Sequence, residues 1–186
     1  DNEGNAVSNT YTLGYSFGSG VTIPGTGILM NNQMNNFAYR YGDKKERGRG
    51  ASTGNRFEPG KNPMSTMAPT MIFNKEGELV LITGSPGGSL IPAAILRVIT
   101  GIIDFDLDIG QATMLPRVHK DWPKTGILYE RTVNSDVVRI INKRIGHKMT
   151  PEHTMGSTQS IHIIDGVNYG YADLRRPGAS VSSQEN

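Results

Sequence analysis

One stretch limits the possible architecture more than any other. The β-branched, apolar run Glu78-Leu79-Val80-Leu81-Ile82-Thr83 leads into Gly84-Ser85-Pro86-Gly87-Gly88-Ser89. Beyond Pro92, Ile95, Val98, Ile99 and Ile102 recur at helical spacing up to about Phe105. A buried strand that turns through glycines into an amphipathic helix requires a sheet with a helix packed on it. Pro92 suits a first helical turn. Upstream, Thr70 to Asn74 is a second apolar segment, separated from Glu78 by Lys75-Glu76-Gly77, and the two read as a hairpin.

The rest of the chain follows the same mixture. A second short helix is expected over about Asp108–Met114. A third is expected from about Ser135, as N-cap, to Ile145, with Gly146 just past its end. Ile127–Arg131, Gln159–Asp165 and Tyr169–Ala172 read as strands, with Asp165-Gly166 as the hairpin turn between the last two. Ala6 to Leu13 alternates like a strand. Hairpins argue for antiparallel pairing, and the fold class is α+β. Tyr39 to Gly60 combines charges and glycines without apolar periodicity, and reads as a flexible loop.

Composition bounds the rest. The chain has 186 residues, so one domain is expected, large enough to bury a core without disulfide or metal support. Glycine is in excess, with 23 residues against an ordinary usage of about 7%. The absence of cysteine excludes a disulfide framework, a thiol nucleophile and cysteine-ligated zinc. A net charge of +2, with no basic block, gives no footprint for nucleic acid. No apolar run approaches the roughly 20 residues that span a bilayer. The opening Asp1-Asn2-Glu3-Gly4-Asn5 has turn composition, and reads as the start of a processed or excised piece.

The glycine loop is the strongest candidate for chemistry. Its N–H groups can point at a ligand above a helix start, and glycine permits close approach. A phosphate cradle lacks its Lys-Ser/Thr pair. A nucleophile elbow needs Gly-x-Ser-x-Gly, which Gly-Ser-Pro-Gly-Gly does not supply. An oxyanion hole from Gly87 and Gly88, or a plain strand-to-helix turn, remain. His119, His147, His153 and His162 have no metal spacing, and no metal site is expected. Asp104, Asp106 and Asp108 read as solvated turn residues rather than a cation loop. Met64, Met67 and Met71 read as core, and Trp122 as a surface-packing residue.

Several stretches in order resemble the small subunit of the γ-glutamyltranspeptidase family. They are Thr10-Tyr11-Thr12-Leu13, Phe17-Gly18-Ser19-Gly20, Thr26-Gly27-Ile28-Leu29-Met30-Asn31-Asn32-Gln33-Met34 and Pro63-Met64-Ser65-Thr66-Met67-Ala68-Pro69-Thr70. Gly84 to Ser89, Pro116-Arg117-Val118-His119, Gly156-Ser157-Thr158-Gln159-Ser160-Ile161 and Ala172-Asp173-Leu174-Arg175 continue the series.

The resemblance implies an N-terminal nucleophile hydrolase fold, a four-layer α-β-β-α sandwich. It implies a self-cleaving precursor whose small subunit begins with a nucleophilic Thr, expected about seven residues before Asp1. That Thr would attack γ-glutamyl amides such as glutathione and pass the acyl group to water or to an amino acid or peptide amine. No cofactor is implied. A large subunit of the same precursor is the implied partner, and a periplasmic or extracellular setting the implied location.

By the same resemblance, Thr12 would orient the nucleophile, and Gly87 and Gly88 would form the oxyanion hole. Ser65 and Thr66 would hold the substrate α-carboxylate, Thr66 replacing a usual Ser. Gln33 would help bind the α-amino group. Two positions depart from the family: Gly14 stands for a usual Asn, and Asn36 for a usual Asp that pairs with the substrate ammonium. An amide accepts a hydrogen bond but brings no charge, and a charge-assisted bond is about twice as strong. Alternatives are an acylase with altered amine recognition, taking glutaryl amides or poly-γ-glutamate, or a non-catalytic homologue or inert fragment.

Overall fold

The computed structural model describes residues 1, 3–38, 53–121 and 126–183. It divides into two compact units, one of Asp1–Thr10 with Met67–Asn186, the other of Tyr11–Thr66.

The first unit holds the regular elements. Strands β1 (Thr70–Phe73), β2 (Leu79–Gly84), β6 (Gln159–Ile164) and β7 (Val167–Ala172) form an antiparallel sheet in the order β1-β2-β6-β7. The expected hairpins β1–β2 and β6–β7 are both present. Asp165 adopts a positive φ of 50° in the second turn, as a tight hairpin requires. Thr83 and Ser160 sit opposite each other on β2 and β6, and their buried hydroxyls share a 2.8 Å hydrogen bond.

Helix α1 (Ile91–Ile103) follows β2, with Pro92 in its first turn. Its buried residues Ile91, Ala94, Ile95 and Val98 keep the i, i+3, i+4, i+7 spacing of one face. Helix α2 (Ile109–Met114) starts at Asp108, whose carboxylate accepts from the Gln111 N–H at 2.8 Å while Gln111 reaches back to the Asp108 N–H. At Gly101 a Cβ would stand 2.9 Å from Ala112 Cβ, so glycine lets α1 and α2 cross closely. The core joins Leu81 of β2 to Val98, Ile109 and Ala112, with Ile72, Ile99, Ile102, Leu107 and Tyr171 packed around it. A helix layer therefore lies on the four-stranded sheet. The α+β class is the one observed.

A second sheet has the order β3-β4-β5: β3 (Val118–His119), β4 (Ile127–Glu130) and β5 (Met149–Glu152). The β4–β5 pair is parallel, beside the antiparallel pairing that the hairpins predicted for the first sheet. Pro151 lies within β5, an edge strand, where a missing N–H is tolerated. Helix α3 (Ser135–Ile140) continues as a π-type turn over Ile141–Ile145 and ends at left-handed Gly146. Its cap is Asn134, not Ser135: the Asn134 side chain accepts from the Asp136 N–H at 2.8 Å.

Ala6–Leu13 is not a strand. Alternation makes a strand only where the backbone enters a ladder, and no residue of this segment pairs with a described strand. The segment instead bonds from Ser8 Oγ to the Thr83 carbonyl at 3.0 Å.

In the second unit, Thr22 and Leu29 bridge across a tight turn, and Gln33–Asn36 forms a 3-10 turn. Of the expected loop, 39–52 lies outside the described residues. The remainder carries a 3-10 turn at Thr53–Asn55 and a parallel bridge from Arg56 to Ala38. Phe37 and Ala38 are buried there, with Phe57 meeting Phe37 edge-on at 5.3 Å.

Candidate active site

The loop after β2 keeps its N–H groups unspent. Gly87 has φ 137° and Gly88 φ 59°, conformations that side-chain-bearing residues avoid. A 3-10 turn, Gly88–Leu90, then leads into α1. Among the described residues, neither the Gly87 N–H nor the Gly88 N–H has a hydrogen-bond acceptor. Gly87 is exposed and Gly88 half-buried. Two adjacent free donors at the start of a helix suit a developing negative charge. A plain strand-to-helix turn would not need both glycines twisted this way.

The second unit gathers most of the other residues singled out from the sequence. Gly14 N–H donates to Thr12 Oγ1 at 2.8 Å. Gln33 Nε2 donates to the Thr12 carbonyl at 3.1 Å, and Asn36 Nδ2 donates to Gln33 Oε1 at 2.7 Å. Asn55 Nδ2 donates to the Asn36 carbonyl at 2.7 Å, and its own Oδ1 accepts from the Met64 N–H at 3.0 Å. A single chain of amides thus connects Thr12, Gln33 and Asn36 to the backbone just before Ser65 and Thr66. With Nδ2 committed to Gln33, Asn36 keeps its Oδ1 as an acceptor without a partner among the described residues. Thr12 is exposed, and its hydroxyl oxygen is already an acceptor, so its proton is free to be donated.

Gly14 has its own local reason. Its φ is 100°, and a Cβ there would overlap Asn32 Oδ1, which accepts from the Tyr15 N–H at 2.9 Å. The Asn32 amide occupies the space a side chain at position 14 would need.

Sequence reasoning missed a buried ion network. Arg117, 1% exposed, bonds Asp173 Oδ2 at 2.7 Å, the Met155 carbonyl at 2.7 Å and the Thr113 carbonyl at 3.1 Å. Arg175 pairs with Glu130 at 2.7 Å and with Asp173 at 3.2 Å. Burial works to raise the Asp173 carboxyl, but the Arg175 N–H, the Arg117 charge and the Thr158 N–H outweigh it and hold it below the ordinary value. Burial, with the neighbouring Arg175 charge, pushes Arg117 down. For Arg175, burial is overcome by Glu130, which pushes it up. Pro116-Arg117 and Asp173-Leu174-Arg175 stood in the matching stretches, but no local pattern marks two arginines as partners of distant acids.

The remaining candidates stay apart from this chemistry. No cluster of His, Asp or Glu able to hold a metal occurs among the described residues. His119 pairs with Asp121 at 2.6 Å, and burial pushes His162 down. Asp108 is a helix cap. Met64 and Met67 are exposed rather than core. Trp122 lies outside the described residues. No described helix is long and apolar enough to cross a membrane.

A family model for gamma-glutamyltranspeptidase matches residues 1–183. The chain belongs to the γ-glutamyltranspeptidase family. It is 39% identical over 176 residues to the glutathione hydrolase proenzyme of Escherichia coli K12, covering 94% of this chain and 30% of the relative. The chain thus spans about 30% of that curated relative's length. A mutant γ-glutamyltranspeptidase of Helicobacter pylori superposes with a TM-score of 0.86 at 35% identity, over 95% of this chain and 96% of the other. A cephalosporin acylase of Bacillus halodurans is lower on both measures, with 0.76 and 28%, over 91% of this chain and 30% of the acylase. The γ-glutamyltranspeptidase reading of the ordered sequence stretches is therefore the correct one.

Proposed function

We propose that the complete protein carrying this chain is a γ-glutamyl acyl transferase and hydrolase, acting on γ-glutamyl amides such as glutathione. The observation that supports it most is the pair of free N–H groups at Gly87 and Gly88 in a chain of this family. They would stabilise the oxyanion formed when a nucleophile attacks the γ-carbonyl. The nucleophile is a Thr preceding Asp1, freed by self-cleavage, with its own amine as base. Thr12 donates its hydroxyl proton to that Thr and orients it. The acyl-enzyme ester then passes to water or to an amine of an amino acid or peptide.

In the second unit, Asn36 Oδ1 and the Gln33 side chain face the substrate ammonium. Ser65 and Thr66 take the α-carboxylate. Gly14 supports the Thr12 hydroxyl through its N–H rather than contacting substrate by a side chain. The E. coli relative is named a proenzyme, which supports a large subunit from the same precursor as partner. A periplasmic or extracellular setting goes with this reading. The acylase reading is weaker, because the solved acylase is less similar than the solved γ-glutamyltranspeptidase.

The test is expression of the full precursor, followed by measurement of self-cleavage and of anilide release. Cleavage before Asp1 leaving a terminal Thr, with γ-glutamyl anilide turned over faster than glutaryl anilide, is expected. Faster turnover of the glutaryl anilide would favour the acylase. Absence of cleavage and of both activities would mark a non-catalytic homologue.

A further inference from the structure

Ser85 lies one residue after β2 and is 2% exposed. Its hydroxyl makes two bonds at once. Oγ donates to the Pro86 carbonyl at 2.8 Å and accepts from the Ser157 N–H at 3.0 Å. The Pro86 carbonyl and the Gly87 N–H belong to one planar peptide group, in which a trans arrangement points them in opposite directions. Whatever holds that carbonyl therefore aims that N–H. The need is specific to this place, since glycine at 87 removes the steric limits that would otherwise restrict rotation of the peptide.

The acceptor side of Ser85 rests on a firm base. A Cβ on Gly156 would stand 2.6 Å from Ser85 Oγ and 3.1 Å from the Pro86 oxygen. A Cβ on Gly87 would stand 3.2 Å from Gly156 Cα. The segment Met155–Thr158 is tied at both ends by the buried ions. Met155 N–H donates to Glu130 Oε1 at 3.0 Å and its carbonyl accepts from Arg117. Thr158 N–H donates to Asp173 Oδ2 at 2.9 Å. This gives the ion network a use beyond stability: it holds the Ser157 N–H against which Ser85 is seated.

We infer that Ser85 is a positioning residue whose hydroxyl, anchored on the Ser157 N–H, aims the Gly87 N–H at the oxyanion. The inference rests on the reading of Gly87 and Gly88 as oxyanion donors. Acylation and deacylation both pass through a tetrahedral oxyanion, so misaiming one donor slows both steps alike. It lowers kcat while leaving KM nearly in place.

The experiment uses the mature enzyme from the complete precursor, wild type and Ser85→Ala, with a γ-glutamyl anilide as substrate. A tetrahedral γ-glutamyl phosphonate and free glutamate serve as inhibitors. Losing one oxyanion donor outright costs about 100- to 1000-fold, so misaiming one should lower kcat by about 10- to 100-fold. KM should stay within about twofold, phosphonate affinity should fall in step with kcat/KM, and glutamate affinity should hold. Ser85→Cys, with a weaker donor, should fall between. Should the alanine precursor not mature, Ser85→Cys carries the test: lower kcat at unchanged KM supports the inference, and wild-type kcat overturns it. An alanine enzyme as fast as wild type, or one whose kcat falls without loss of phosphonate affinity, also overturns it. A wild-type protein inactive on all γ-glutamyl amides would instead sink the functional reading, which separates the two failures.

Discussion

The two units hold their candidate site residues by opposite means. Around Gly87 and Gly88, the backbone is braced by buried ions and a packed core: Arg117, Asp173, Thr158 and Met155 are each 1% exposed or less. Around Gln33 and Asn36, the brace is a chain of neutral amides over a small cluster at Phe37 and Ala38. Apolar side chains there stay in the open, with Tyr11 86% and Phe17 72% exposed. The difference matches the proposed tasks. Oxyanion donors act only if their direction is set before the reaction, so they belong on the stiff part. Residues that recognise an ammonium and a carboxylate tolerate adjustment, and neutral amides give geometry without the desolvation cost of buried charge.

The largest expected effect tests the stiff side. Asp173→Asn removes the carboxylate facing two arginines and should cost about 3–5 kcal/mol in chemical denaturation, the loss seen when one partner of a buried pair is removed. Its pH dependence has a definite sign. The Asp173 carboxyl is held below its ordinary value of 3.8, so its stabilisation is fully present above that value and is lost as pH falls through the folded value. The gap between wild type and Asp173→Asn should stay flat near neutrality and narrow below about pH 4. A gap that widens on acidification would refute the assignment.

A smaller effect tests the amide side. Gln33→Ala leaves the Thr12 carbonyl and the Asn36 amide without their partner, a loss of about 1–2 kcal/mol. It should raise KM for a γ-glutamyl anilide by about 5- to 30-fold, with a smaller change in kcat, and speed hydrogen exchange at the Asn32 N–H, which donates to the Leu13 carbonyl. If kcat fell and KM did not, the division of labour between the units would be wrong.

The smallest effect sharpens the contrast rather than breaking it. Asn36→Asp puts a charge where the neutral acceptor stands. The gain from a charge-assisted bond is about 1 kcal/mol, so kcat/KM for γ-glutamyl amides should rise about fivefold, with no such gain for glutaryl amides, which lack the ammonium. Equal or lower rates would remove Asn36 from amine recognition.

Local pattern was enough for much of this. The β1–β2 and β6–β7 hairpins, α1 with Pro92 at its start, the Asp108 cap and the glycine loop all follow from neighbours in sequence. Those elements are set by short-range sterics and by the two hydrophobic periods. Where partners are distant, reading failed. Ala6–Leu13 alternates properly but joins no described strand, and β5 carries Pro151 yet forms an edge strand. The family's ordered motifs singled out Thr12, Gln33, Asn36, Gly87 and Gly88 as candidates, and the order alone carried that choice. Only the tertiary structure showed that Asn32 fills the space beside Gly14, that Arg117 and Arg175 are neutralised by acids far along the chain, and that Ser85 bridges Pro86 to Ser157. Each depends on which atoms meet across 17 to 72 positions of sequence. A chain's local chemistry cannot specify such meetings, because they exist only once the sheet and helices have closed around them.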